Sequence, residues 1–141
     1  MNYLIDTCVI SELVKTKPDP RVAQWIRSQD EESLYLSVIT IGEIQKGISK
    51  LADGRKKKKQ LQNWLSNELQ ARFKGRILKI TIEIAHVWGQ VLGSCEKKGI
   101  TLPAVDILIA SQAIFHKMTI VTRNISDMKP SGVPLFNPWS T

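Results

Sequence analysis

Four stretches of the 141-residue sequence place oxygen-bearing side chains just past an apolar run. Asp6 follows "YLI", Glu43 lies in "SVITIGEIQKG", Asp106 stands in "TLPAVDILIASQAI", and Thr122, Asn124 and Asp127 lie in "TRNISD" after "TIV". Asp106 is the least ordinary of these, because Val105, Ile107, Leu108 and Ile109 surround it, and an unpaired carboxylate in apolar surroundings is costly. Carboxylates drawn together raise one another's pKa, so a cluster of Asp6, Glu43 and Asp106 calls for a cation. With no His or Cys at matching positions the donors are all oxygen, which favours Mg²⁺ or Mn²⁺ over zinc. In a basic protein a carboxylate-held divalent ion points to phosphodiester chemistry, where the ion activates water and neutralises the leaving oxygen.

Each acid also has an ordinary structural explanation. Asp6 is a favoured residue for capping a helix that begins at Thr7. Glu43 completes a capping-box pattern with Thr40, its carboxylate bonding back to the Thr40 amide. Asp106 resists this treatment, since Thr101 and Pro103 already supply a helix start and the carboxylate is expected a turn inside. By helical spacing its face is shared with Ile109, Ala110 and Ala113. Small alanines there let the helix pack closely on a sheet and bring Asp106 towards Asp6. His86 and His116 lie in helical patterns away from these segments and are assigned to packing or the surface. Cys8 and Cys95 have neither metal nor disulfide spacing and are read as small apolar residues.

Five apolar runs, at 2–5, 34–38, 76–80, 119–122 and 133–136, read as strands separated by helix-length segments. Asp19 as cap with Pro20 at the first helical position opens one helix, and "KKG" at 97–99 stops another. Such alternation predicts right-handed crossovers and a mainly parallel sheet covered on both faces, a three-layer α/β architecture. In sheets of this kind ligands bind beyond the carboxyl ends of the strands, where strand order reverses, and that is where the acids fall. Length and apolar content suit one domain over 1–141, with loop-rich stretches only around 50–55 and 129–134.

A formal charge of +7 favours a polyanionic partner, nucleic acid first. Its densest source is "RKKKK" at 55–59, just before a helical pattern in which Leu61, Trp64, Leu65, Leu69 and Phe73 share a face. Lysines at a helix start oppose the helix dipole, so Arg55, Lys56 and Lys57 are candidates for holding phosphates. Lys46, three residues after Glu43, is a further candidate. No window is apolar enough for a signal peptide or a membrane span, and the sparse cysteines suit a reducing cytoplasm.

"YLIDTCVISEL", "LSVITIGEIQKG", "PAVDILIASQAI" and "TIVTRNISDM", in this order and spacing, resemble the PIN-domain ribonucleases, and among them the VapC-like toxins of bacterial type II toxin–antitoxin modules. The ending "VPLFNPW" resembles the FitB-like subgroup. The resemblance implies a five-stranded parallel sheet and a Mg²⁺- or Mn²⁺-dependent endoribonuclease. It makes Asp6 and Asp106 the main metal ligands, with Glu43 assisting. Thr122 and Asn124 match the position that in relatives often supplies a further acid; here that residue is an amide, and Asp127 follows three residues later. Cys8 replaces the Asn or Ser frequent in relatives. The resemblance further implies a homodimer, and a cognate antitoxin that covers the groove, forms a larger complex and alone contacts DNA. Two other classes compete. A signalling receiver domain needs an acceptor Asp at the end of its middle strand, where "RILKITIEI" offers Lys79 and Thr81. A non-catalytic RNA- or protein-binding module would keep the acids as helix caps and need no ion.

Overall fold

Strands β1 (Tyr3–Ile5), β2 (Leu34–Ser37), β3 (Ile77–Leu78), β4 (Thr119–Val121) and β5 (Leu135–Phe136) form one parallel sheet in the order β3-β2-β1-β4-β5. The structure, a computed structural model, describes residues 1–140. All five expected strands are present, each shorter than its apolar run. Their registers align Ile5 with Val121 and Val121 with Phe136, so β1, β4 and β5 end level, while Leu4 opposite Tyr35 and Ser37 opposite Leu78 carry β2 and β3 one residue further. One expectation is corrected. The third strand, weighed as the middle strand of a receiver domain, is an edge; the central strand is β1, and Asp6 follows it directly.

Alternating side chains divide the core in two. Ile5, Leu34, Leu36 and Val121 face Val9, Val22, Ile48, Leu65 and Phe73. Leu4 and Ile120 face Ile107, Ala110, Ala113 and Met118. The first layer holds α1 (Thr7–Leu13), α2 (Pro20–Ser28), α3 (Val38–Ser49) and α4 (Lys56–Asn63), which continues as a π-helical stretch (Trp64–Leu69) and a last turn, α5 (Gln70–Arg72). The second holds α6 (Ile82–Lys97) and α7 (Ala104–His116), with the short α8 (Ile125–Met128) after β4. The chain moves outward from β1 through β2 to β3, then crosses to β4 on the other side of β1. The reversal therefore lies between the carboxyl ends of β1 and β4.

Local signals act largely as expected. Asp19 accepts a hydrogen bond from the Arg21 amide and Pro20 opens α2, while α6 stops at Lys98 before Gly99, whose φ of +80° suits a residue without Cβ. The lysine run differs: Lys56 to Lys59 form the first turn of α4 instead of preceding it. Lys58 offsets part of that cost by bonding the Asp53 carboxylate at 2.6 Å and the Leu51 carbonyl at 3.1 Å. Glu12, buried at the end of α1, is held below the usual carboxylate range by Lys15 at 2.9 Å and by the Asp19 amide at 2.9 Å. That pairing fixes the turn from α1 to α2.

α7 ends on Lys117 at φ 57°, ψ 47°, a left-handed conformation that a Cβ disfavours. Lys117 is exposed and its side chain makes no bond among the described residues. Lys117→Gly is therefore expected to stabilise the chain by about 0.5–1 kcal/mol, seen as a higher denaturant midpoint with unchanged slope.

Candidate active site

β1 delivers Asp6 to the point of reversal and α1 begins immediately after it. Asp6 is 3% exposed, and its amide bonds the Val121 carbonyl at 3.0 Å, an extension of the β1–β4 ladder that holds its backbone still. Its Oδ1 accepts the Thr7 amide at 2.9 Å, and its Oδ2 accepts the hydroxyl of fully buried Thr122 at 2.7 Å. Asp6 is thus both a helix cap and a member of the site. A carboxylate has about four lone-pair positions, so both oxygens keep capacity for a cation.

Thr7 joins two of the acids. Besides its amide bond to Asp6, its Oγ1 lies 2.6 Å from Glu43 Oε1 and 3.0 Å from Thr40 Oγ1. One hydroxyl carries one proton, and it goes to the carboxylate, the stronger acceptor at the shorter distance. The capping box weighed as the alternative role for Glu43 does not form. α3 begins at Val38 with Ser37 as its cap, the Ser37 hydroxyl accepting the Ile39 amide at 3.0 Å, so Glu43 lies well inside the helix. Its carboxylate is free for the site, and Thr7 was missed as part of it. The signal was the hydroxyl beside Asp6 in "IDTC".

α7 carries Asp106 in its first turn, earlier in the helix than expected, because the helix starts at Ala104 and Thr101 caps nothing. The helix is pinned at two levels. The Trp88 indole N–H bonds the Ala104 carbonyl at 2.9 Å, and the buried Gln112 amide bonds the Leu78 and Lys79 carbonyls at 3.0 and 3.2 Å. Ala110 and Ala113 are fully buried on the helix's sheet-facing side, as their size suggested. Half-buried Asp106 has its pKa pushed up to about 6, first by desolvation and then by the charges of Asp6, Glu43 and Asp127. Four carboxylates from four chain segments therefore share one field.

Cys8 departs from its apolar reading. Its Sγ lies 3.7 Å from Asp6 Oδ2 and 3.6 Å from Thr122 Oγ1, and it accepts the Arg123 amide at 3.5 Å. Burial, then the Asp6 charge, pushes the thiol pKa up, so it stays a neutral, weak donor beside Asp6. Cys95, by contrast, is buried in the apolar layer as expected. After β4 the Asn124 amide donates to Thr122 Oγ1 at 2.9 Å, whereas the Asn124 side chain caps nothing. Asp127, exposed on α8, joins the shared field. His86 and His116 are exposed and remote from these contacts. His86 lies in a broad hollow on α6 with Ile82, Ala85, Gly89 and Gln90, which holds no carboxylate.

Lys46, Arg55, Lys56 and Lys57 are exposed, make no side-chain bond among the described residues, and do not touch the carboxylates. Gln45 and Gln62 exchange amide hydrogen bonds of 2.7 and 2.9 Å that dock α4 on α3. Among the described residues no three His, Cys, Asp or Glu side chains form a ready-made coordination cage. The donor set nonetheless fits a hard divalent cation. It is all oxygen, one member is electrostatically frustrated without a counter-charge, and Mg²⁺ binds through one or two carboxylates while keeping several waters.

The PIN domain family model matches residues 3–126. The chain is 36% identical to Toxin FitB of Neisseria gonorrhoeae over 96% of its own length and 97% of that protein. It is 33% identical to VapC ribonuclease Y4jK of Sinorhizobium fredii over 96% of each. The crystal structure of FitAcB from Neisseria gonorrhoeae superposes with a TM-score of 0.93 at 35% identity, covering 99% of both chains. No helix among the described residues is long and apolar enough to cross a membrane. With a family match over most of its length and relatives alike from end to end, this chain belongs to the PIN-domain family, in the branch that holds FitB and the VapC ribonucleases.

Proposed function

We propose that the chain is a divalent-metal-dependent endoribonuclease, using Mg²⁺ or Mn²⁺, and the toxin of a type II toxin–antitoxin pair. The observation that carries this reading is the shared field of Asp6, Glu43, Asp106 and Asp127 at the point where the sheet reverses. Bound among these carboxylates, a divalent cation supplies activation of water and neutralisation of charge at a phosphodiester. Asp6 and Asp106 are its main ligands. Thr122 and the Thr7 amide orient Asp6, while the Thr7 hydroxyl holds Glu43 Oε1 and leaves Oε2 to accept a proton from the attacking water. Asp127 takes the place of the acid that Asn124 lacks. Lys46, Arg55, Lys56 and Lys57 hold phosphates along α3 and α4, and single-stranded or looped RNA suits a recessed acidic site. A binding module that keeps the acids only as caps is poorly supported, since of Asp6, Glu43 and Asp106 only Asp6 caps a helix.

Solved relatives support the partner assignment. They include FitAB bound to an IR36 DNA fragment, at 35% identity and a TM-score of 0.90, and VapBC2 from Rickettsia felis bound to a DNA fragment from their promoter, at 29% and 0.76. By likeness this chain works in the cytoplasm as a homodimer, is inhibited by a cognate antitoxin, and meets DNA through that antitoxin. Purified protein should cut a mixed RNA pool with Mg²⁺ and stop with chelator; cutting that survives chelation would reject the metal mechanism.

Metal binding should also report on Asp106. Protons and a cation compete for a carboxyl whose metal-free pKa is about 6, so apparent Mn²⁺ affinity should weaken as pH falls through that value. Calorimetric titrations at pH 5 and 7.5 test this, and equal affinities would remove Asp106 from the ligand set.

A further inference from the structure

Glu43, one of the four acids, lines a cleft of about 200 Å³ between α1, α3 and α4. Thr7 and Glu43 stand at its active-site end, and Ile44, Gly47, Leu61 and Trp64 form much of its wall. We propose that this cleft receives one unpaired nucleobase adjoining the cleaved phosphate, with Trp64 and Gly47 as the residues that determine sequence preference. The inference rests on the ribonuclease reading above and adds a specificity site to it.

Three features carry it. First, the cleft is small and mainly apolar with one aromatic wall, the setting in which a splayed base stacks. A π-helical turn begins at Trp64, a departure from α-helix that recurs at functional sites. Second, hydrogen-bonding groups line it unspent: among the described residues neither the Trp64 indole N–H nor the Ser11 hydroxyl makes a hydrogen bond. They can read a base edge. Third, lysines neighbour the lining residues along the helices. Lys50, the C-cap of α3, follows Gly47 by three residues and Lys57 precedes Leu61 by four on α4, so each shares a helical face with a cleft residue. Lys46 adjoins Gly47, and none of the three lysines is paired among the described residues. Unpaired lysines beside an apolar slot suit a polyanion whose base turns inward.

Gly47 allows a clean test. Its backbone is helical, without positive φ, and an added Cβ would meet no atom within 4 Å, so Gly47→Leu places its side chain in open cleft space. With short RNAs varied one nucleotide at a time around a mapped cut, the wild-type chain should prefer particular bases at one position beside the cut. Gly47→Leu should lower kcat/KM on the preferred RNA roughly 10- to 100-fold, the range for losing one stacked base. It should cut RNA lacking that base as fast as wild type does. A binding arm uses Asp106→Asn protein and RNA carrying 2-aminopurine at the same position. Its fluorescence should fall on binding, and the change should be lost with Gly47→Leu or Trp64→Leu added. Equal kcat/KM for Gly47→Leu and wild type on every RNA would overturn the proposal and leave the nuclease reading intact. So would a variant that cuts normally yet escapes its inhibitor, which would assign the cleft to a protein side chain. A wild-type chain that cuts no RNA would remove the nuclease reading, and the fluorescence arm, with 2-aminopurine moved through each position of a short RNA, would then decide the base site: quenching lost with Gly47→Leu retains it and no quenching at any position rejects it.

Discussion

Asp106→Asn is expected to cut RNA cleavage by roughly three orders of magnitude, the upper scale for removing a group that stabilises charge in a transition state, and to make the metal-free protein more stable at neutral pH. The two effects have one cause. The pKa of Asp106 is raised to about 6 by burial and by Asp6, Glu43 and Asp127. A carboxyl whose folded pKa lies above its unfolded value contributes stability that is fully present below the unfolded value, near 4, and is lost as pH rises through the folded one. At pH 7 the ionised Asp106 therefore opposes folding. Asparagine has nearly the same shape without the charge, so it should flatten stability between pH 4 and 6. Because Asp106 is only half buried, screening keeps the neutral-pH gain below about 1 kcal/mol. Glu12, Asp19, Glu31 and Asp53 have lowered pKa values and lose their contributions towards more acid pH, outside most of this window. Denaturant unfolding across pH 4–8, in chelator, separates the cases. An inactive variant less stable than wild type at pH 7 would mean that its inactivity reports damage to the fold, and would remove the support for Asp106 as a metal-holding residue.

The residues that broke a pattern were the informative ones. Asp106 was conspicuous because its apolar neighbours gave its charge no partner, and Asp6 because it ended an apolar run; both lie at the strand reversal. The two-layer burial followed from alternation in "NYLI" and "LYLSV", which assigns Leu4 to one face and Ile5, Leu34 and Leu36 to the other. Strand order was not legible locally. The third run looks as central as the first, and only packing of its flanking helices on opposite faces makes β3 an edge. Glu43 could be read as a cap as well as a site residue because Thr40-Ile41-Gly42-Glu43 satisfies the local rule, while Ser37, three residues before Thr40, takes the helix start through its own hydroxyl. The Thr7 and Cys8 contacts beyond Asp6 were not legible for a different reason. Those partners are Glu43, Thr40 and Thr122, more than thirty residues away in each case, and no helical or strand period links them.

Those long-range contacts make Thr122 the second decisive position. Its hydroxyl is fully buried, donates to Asp6 Oδ2 at 2.7 Å and accepts the Asn124 amide at 2.9 Å, so it couples the end of β4 to the principal acid. Thr122→Val keeps the side-chain outline and deletes both bonds. Asp6 Oδ2 would retain only the weak Cys8 thiol at 3.7 Å, and the Asn124 amide would lose its acceptor. Stability should fall by about 1–3 kcal/mol, the cost of polar groups left unsatisfied. Metal affinity and cleavage should fall by about 10- to 100-fold, the range for removing a partner that orients a ligand. Thr122→Ser retains the hydroxyl and should recover most metal affinity and activity, even though loss of the methyl group leaves some instability. Comparing the two variants separates positioning of Asp6 from simple packing. If Ser restored stability but not Mn²⁺ affinity, or if Val bound Mn²⁺ as tightly as wild type, the hydroxyl would have no part in presenting Asp6, and the rigid β1–β4 backbone would suffice to hold that carboxylate.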